Sequence, residues 1–192
     1  MSKANSKVDD WPNRPTPVDQ LIFDSSKTPS SAAVQSLRIA TWNILCDVYD
    51  KDIVQTATRI PTHVPHLQKL NADIICLNEC EPSYVSDILM SNDYILNNYN
   101  CVTEEQLITG KVFVPNYFGN VILVKNTLKI SKGFVYQWTL RNITRNAVMA
   151  VIEVPVLEES SNTVKPLKLC LCLVHLKASK EGHETRKKQL LE

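Results

Sequence analysis

The feature that most constrains how this chain can fold is a succession of apolar runs at residues 121–124, 129–138, 147–156 and 167–176, with little helical patterning between them. Such runs, rich in β-branched and aromatic residues and separated by polar turns, are strands. Strands that follow one another without an intervening helix pair antiparallel, so the second half of the chain predicts an antiparallel meander. Asn126 marks its first turn, Arg141-Asn142 lie in the second, and residues 158–163 supply a polar loop for the third.

The first half alternates differently. Leu37-Arg38-Ile39-Ala40-Thr41-Trp42-Asn43 is β-rich and turns polar only at its end. Residues 63–70 predict a short helix, with Pro61 and Pro65 limiting how far it extends toward the amino terminus. Ala72-Asp73-Ile74-Ile75-Cys76-Leu77 is apolar on both faces, as an interior strand requires, and it ends on Asn78-Glu79. Pro82 suits the first position of a helix running to Met90. Residues 179–192 again have helical spacing, with Leu190 and Leu191 apolar and Lys187-Lys188 solvated. Residues 1–36 are broken by Pro12, Pro15, Pro17 and Pro29 and read as a flexible leader, in which Trp11 and Leu21-Ile22-Phe23 are the patches able to dock. Order is expected from Leu37, and the 192 residues suffice for one domain.

Charge narrows the function. The formal net charge is +1, from 21 Lys and Arg against 20 Asp and Glu, so no domain-wide basic field exists to hold long nucleic acid. Phosphate recognition must then be local. No apolar stretch is long enough to span a bilayer, and no signal peptide is visible near the amino terminus. Most of the six cysteines lie in apolar runs, as reduced structural thiols do, which points to a cytoplasmic or nuclear protein. Cys76 and Cys80, or Cys170 and Cys172, lack the usual zinc spacing and a following histidine. Asn142-Ile143-Thr144 matches a glycosylation acceptor without the secretory context that would give it meaning.

Three strands end in polar residues that packing does not require: Asn43, Glu79 and His175. Each has an ordinary reading: a turn residue, a cap for the helix at Pro82, and a hydrogen-bonded structural imidazole. The chemical reading differs. A carboxylate directly after an interior strand emerges at the rim of a sheet, where it suits a hard divalent cation such as Mg²⁺ that takes oxygen ligands and keeps waters for a substrate phosphate. Period-2 geometry places His175 and Lys177 on one face of their strand, presenting an imidazole and an ammonium together, able to bind and polarise one phosphate.

These segments, in this order, resemble the endonuclease/exonuclease/phosphatase superfamily, the fold of deoxyribonuclease I. Trp42-Asn43-Ile44-Leu45 resembles the end of that family's first strand, whose Asn lies at the phosphate and metal site. Leu77-Asn78-Glu79-Cys80 resembles the motif usually ending Gln-Glu-Val, whose Glu is the chief metal ligand; Asn78 and Cys80 replace its neighbours. Gly119-Asn120-Val121-Ile122-Leu123 resembles the Gly-Asn-Ala-Ile-Leu strand, and Val174-His175-Leu176 the Thr-His-Leu segment, with Val174 in place of Thr. Arg186 and Gln189 fit the helix that follows. Trp42-Asn43-Ile44-Leu45 and His175-Leu176-Lys177-Ala178 are most similar to the nocturnin and deadenylase-like branch, although Ser179 stands where some members have Arg.

The resemblance implies an α/β (α+β) fold, a two-sheet sandwich flanked by helices and incomplete at the C-terminus, with residues 37–192 forming the amino-terminal portion of the domain. It also implies Mg²⁺-dependent (or Mn²⁺-dependent) hydrolysis of a phosphodiester or phosphoester, with RNA or a nucleotide as substrate. Glu79 would hold the metal, Asn43 would orient phosphate or a nearby carboxylate, His175 would hydrogen-bond a phosphoryl oxygen, and Lys177 would add positive charge at the substrate phosphate. The family's Asp-x-Asn motif and terminal Asp-His pair do not occur in residues 1–192, so the isolated chain is expected not to hydrolyse phosphoesters. The alternatives are a non-catalytic truncated or decayed homologue that binds phosphate or a partner, and an inositol-phosphate or sphingomyelin phosphodiesterase.

Overall fold

A computed structural model describes Thr16–Pro17 and residues 29–46, 51–110, 117–140 and 143–176. The strands are β1 (Thr16–Pro17), β2 (Ile39–Asn43), β3 (Ile74–Cys80), β4 (Tyr99–Val102), β5 (Gly119–Lys125), β6 (Lys129–Leu140), β7 (Ile143–Glu158) and β8 (Thr163–Val174). The α-helices are α1 (Lys51–Val54), α2 (Thr56–Leu70), α3 (Asp93–Asn98) and α4 (Glu105–Thr109), and a π-helical segment covers Tyr84–Leu89. The strands form two four-stranded sheets, one in the order β1-β6-β7-β8 and the other in the order β2-β3-β5-β4.

The apolar runs explain why the sheets stack. Along β3, Ile75 and Leu77 join one buried cluster while Ile74 and Cys76 join another. On β5, Val121 and Leu123 face the first and Ile122 and Val124 the second. Period-2 alternation with both faces buried is what a continuous apolar run encodes. The first cluster is closed by Val64 and Leu67 of α2, by Tyr84, Val85 and Leu89 of the π-helical segment, and by Ile95 and Leu107 of α3 and α4. The second lies between the sheets, where Val148, Ala150, Ile152 and Val154 of β7 meet β3 and β5. The result is the expected α+β sandwich, with the described helices on the outer face of the β2-β3-β5-β4 sheet.

Four expectations are corrected. The meander consists of β6, β7 and β8 alone; β5 pairs antiparallel with β3 and β4 in the other sheet. Its two-sided burial needs a central position, which β3 and β4 provide. Helix α2 starts at Thr56 and contains both prolines, because burial of His63, Val64 and Leu67 holds the helix where two missing amides would otherwise stop it. Glu79 lies within β3 rather than after it. The chain packs before Leu37: Thr16–Pro17 pair with Val135 and Phe134, the Val34 amide donates to the Pro155 carbonyl at 2.7 Å, and Val34 packs on the inter-sheet cluster. Elements α3, β4 and α4 were not anticipated; β4 is buried at all four positions. The expected turn at Arg141-Asn142, the helix over residues 179–192 and the Trp11 and Leu21-Ile22-Phe23 patches lie outside the described residues. Among those described, no helix is long and apolar enough to cross a membrane.

Candidate active site

Strands β2 and β3 run parallel, with Asn43 opposite Asn78, so Glu79 follows one step beyond the last paired residue. A bulge between Leu77 and Cys80 breaks the register with β5, and Glu79 adopts φ 59°. A left-handed backbone at a residue other than glycine costs on the order of 1–3 kcal/mol and persists where its surroundings over-determine it.

The surroundings of Glu79 do so. The residue is 3% exposed. Asn43 Nδ2 donates to Oε1 at 2.8 Å, the Cys46 amide donates to Oε2 at 3.1 Å, and the Cys46 thiol lies 3.3 Å from Oε2. His175 Nε2 is 3.4 Å from Oε1, with the imidazole 20% exposed. Burial pushes the carboxyl pKa up, yet the Asn43 and Cys46 hydrogen bonds and the His175 charge together hold it below the usual carboxylate value. The group is therefore an ionised carboxylate inside the protein. These partners replace the helix-cap reading, since the carboxylate is spent on the β2 loop and β8 rather than on the helix that follows.

The loop after β2 is shaped for this contact. Asn43 Oδ1 accepts from the Leu45 amide at 2.9 Å, which fixes which end of the Asn43 side chain faces Glu79. The Ile44 amide donates to the Asn78 carbonyl at 3.0 Å, and Leu45 adopts φ 61°. Asn43 remains exposed, so the site opens to solvent on that side.

His175 is placed by the other sheet. It follows the last residue of β8, and its ring centroid lies 5.7 Å from that of Phe118, just before β5. A chain of side-chain amides, from the half-buried Asn78 to the buried Asn120 and Asn146, ties the two sheets together. Asn78 Nδ2 donates to Asn120 Oδ1 at 2.7 Å and lies 3.4 Å from the Val174 carbonyl; Asn120 Nδ2 donates to Asn146 Oδ1 at 2.7 Å; Asn146 Nδ2 donates to Glu104, which also accepts from the Tyr117 hydroxyl. Strand β8 ends at Val174, and the strand face expected to be shared by His175 and Lys177 involves a residue outside those described. Lys177 lies outside the described residues.

The structure thus brings together Asn43, Glu79 and His175, which 36 and 96 residues separate in turn. It adds Cys46, Arg59 and the amide chain. Asn120 carried a signal, being an amide inside an otherwise apolar run that buries on both faces. Cys46, Arg59 and Glu104 carried none, because their roles arise from loops and elements distant in sequence.

No protein-family model matches the sequence, and no curated protein matches it. Solved structures do. TDP2 from D. rerio, complexed with a single strand DNA product, superposes with TM-score 0.58 at 20% identity, over 81% of this chain and 52% of that one. ANGEL2, a 2′,3′-cyclic phosphatase, in complex with adenosine-2′,3′-vanadate, gives 0.57 at 13% identity, over 80% and 45%. The human Nocturnin catalytic domain with bound sulfate gives 0.52 at 17% identity, over 81% and 57%. Among the matched structures the chain spans as little as 39% of the partner's length, for TDP2 from Caenorhabditis elegans. At such identities the likeness is one of fold alone.

Proposed function

We propose that Asn43, Glu79 and His175 form the metal- and phosphate-holding side of a phosphoester hydrolase that acts on RNA or a nucleotide. The observation that carries this reading is the Glu79 carboxylate, ionised, buried and strained at φ 59°. Packing alone gives no reason to keep a charge there, since burial of a carboxylate carries a desolvation cost that an uncharged residue would avoid. A hard divalent cation gives one. The nucleic acid, nucleotide analogue and sulfate bound by the three structural neighbours support an anionic, phosphate-like ligand.

The residues fit Mg²⁺ or Mn²⁺ held sparsely, through one or two carboxylates plus water and substrate phosphate. Among the described residues no group of three His, Cys, Asp or Glu side chains forms a cage. The His175 contact to Oε1, at 3.4 Å, is the longest around the carboxylate and the one a cation would displace. When bound, the ion would polarise the phosphoryl group and acidify water. Asn43 and Cys46 hold the carboxylate in one orientation throughout. His175, freed from Glu79, donates from Nε2 to a phosphoryl oxygen as charge develops, and Lys177 adds positive charge two residues on.

Turnover also needs an aligned base, worth roughly 10²–10⁴ in rate, and Glu79 bound to a cation is a poor one. Residues 1–192 are expected to bind metal and phosphate through Glu79 and His175. The test is Mn²⁺ binding by calorimetry together with Mg²⁺-dependent hydrolysis, each repeated with Glu79→Gln. Binding that Glu79→Gln abolishes supports the reading. Equal binding by both proteins, or none by either, contradicts it and leaves Glu79 a structural acid.

A further inference from the structure

Arg59 of α2 sends its guanidinium into the loop that follows β2. Nη1 donates to the Ile44 carbonyl at 2.7 Å, Nη2 to the Leu45 carbonyl at 2.9 Å, and Nε to the carbonyl of Val54, the last residue of α1, at 2.5 Å. Three nitrogens of one rigid fork thus meet three backbone carbonyls, a pattern that Lys, with a single point-like ammonium, does not reproduce. Two of those carbonyls belong to the residues immediately before Cys46. Leu45 between them is at φ 61°, a conformation that a leucine keeps only when held there. The next amide, that of Cys46, donates to Glu79 Oε2 at 3.1 Å.

We infer that Arg59 is a positioning residue for the Glu79 centre: it fixes the carbonyls of Ile44 and Leu45 so that the Cys46 amide and thiol are presented to the carboxylate. The inference rests on the reading of Glu79 as a metal ligand, and it deepens that reading by naming what holds the ligand still. Arg59 touches neither the carboxylate nor any group assigned to substrate. Its effect passes through the backbone of Leu45 and Cys46. Without it the left-handed turn relaxes toward ordinary conformations, the Cys46 donors leave Oε2, and the carboxylate is free to swing toward His175.

The experiment compares the 192-residue chain with Arg59→Lys, which keeps the charge, and with Arg59→Met, which keeps most of the stem. Amide hydrogen exchange reports on the loop, and Mn²⁺ titration reports on the centre. Both variants should speed exchange at Cys46 by about tenfold, the effect of losing hydrogen bonds to a charged group, while amides of residues 121–124 in β5 keep their protection. Mn²⁺ affinity should fall by a similar factor, with Lys no better than partial rescue. Unchanged exchange at Cys46 overturns the inference, and so does equal loss of protection in β5, which would make Arg59 a general support of the fold. If the unsubstituted chain binds no Mn²⁺ through Glu79, the metal reading fails by itself, and the Cys46 exchange still decides whether Arg59 holds the loop.

Discussion

His63 shows how far one buried side chain can be displaced from its solution chemistry. It is 2% exposed, with its ring centroid 4.6 Å from that of Trp42 and 5.6 Å from that of Tyr84. Burial, reinforced by the positive charges of Arg59 and His66, lowers its pKa from 6.5 to about 4. Between those values the unfolded chain binds a proton that the folded one refuses, so stability is full above pH 6.5 and falls as pH drops toward 4. The loss is on the order of 3 kcal/mol. Urea melts of the protein and of His63→Phe from pH 7.5 to 4 check this, and the substitution should flatten the profile in that window. Glu79 acts lower on the scale. Its folded pKa lies below 4.5, so its contribution is present above that value and lost as pH falls beneath it. Asn43, Glu79 and His175 were legible in the sequence because each interrupts or ends an apolar run. Cys46 and Arg59 were not, because a donor 33 residues from its acceptor leaves no local pattern.

Among the elements, β5 depends most on a single small residue. A Cβ on Gly119 would fall against Glu104 Oε1, and it would lie 2.9 Å from Asn146 Nδ2 and 2.9 Å from Leu107 Cδ1. Gly119→Ala should therefore part Glu104 from Asn146 and cost about 1–3 kcal/mol of stability, as overpacking does. Calorimetry checks it. A melting temperature within a degree of the parent would show that the α4 end yields freely. The same strand marks the limit of sequence reasoning about elements. The run at residues 121–124 announced a strand, but nothing local separates a strand followed by three antiparallel partners from one that pairs in the opposite sheet. Helix α2 is the converse case. Pro61 and Pro65 argued locally for a short helix, and the burial of Val64 and Leu67 against the sheet outweighed two missing hydrogen bonds.

Across the whole molecule, each sheet supplies what the other lacks at the site. The β2-β3-β5-β4 sheet carries Asn43 and Glu79, the other sheet ends at His175, and the Asn78, Asn120 and Asn146 amides join them through the interior. The two-sheet plan was expected from the resemblance that the motif order carries, and the meeting of Asn43, Glu79 and His175 from each lying at or near the end of an apolar run. That order could not foretell that Glu79 would sit within a strand at positive φ, at the bulge where the register of β3 with β5 breaks. The central claim is that Glu79 is the carboxylate that receives a divalent cation. Crystals soaked in Mn²⁺ test it most directly, by anomalous scattering. The account predicts one peak at metal-bonding distance, roughly 2.0–2.2 Å, from a Glu79 oxygen, with the His175 imidazole displaced from that oxygen. A strong peak elsewhere, with the Glu79 to His175 contact intact at 3.4 Å, would contradict it.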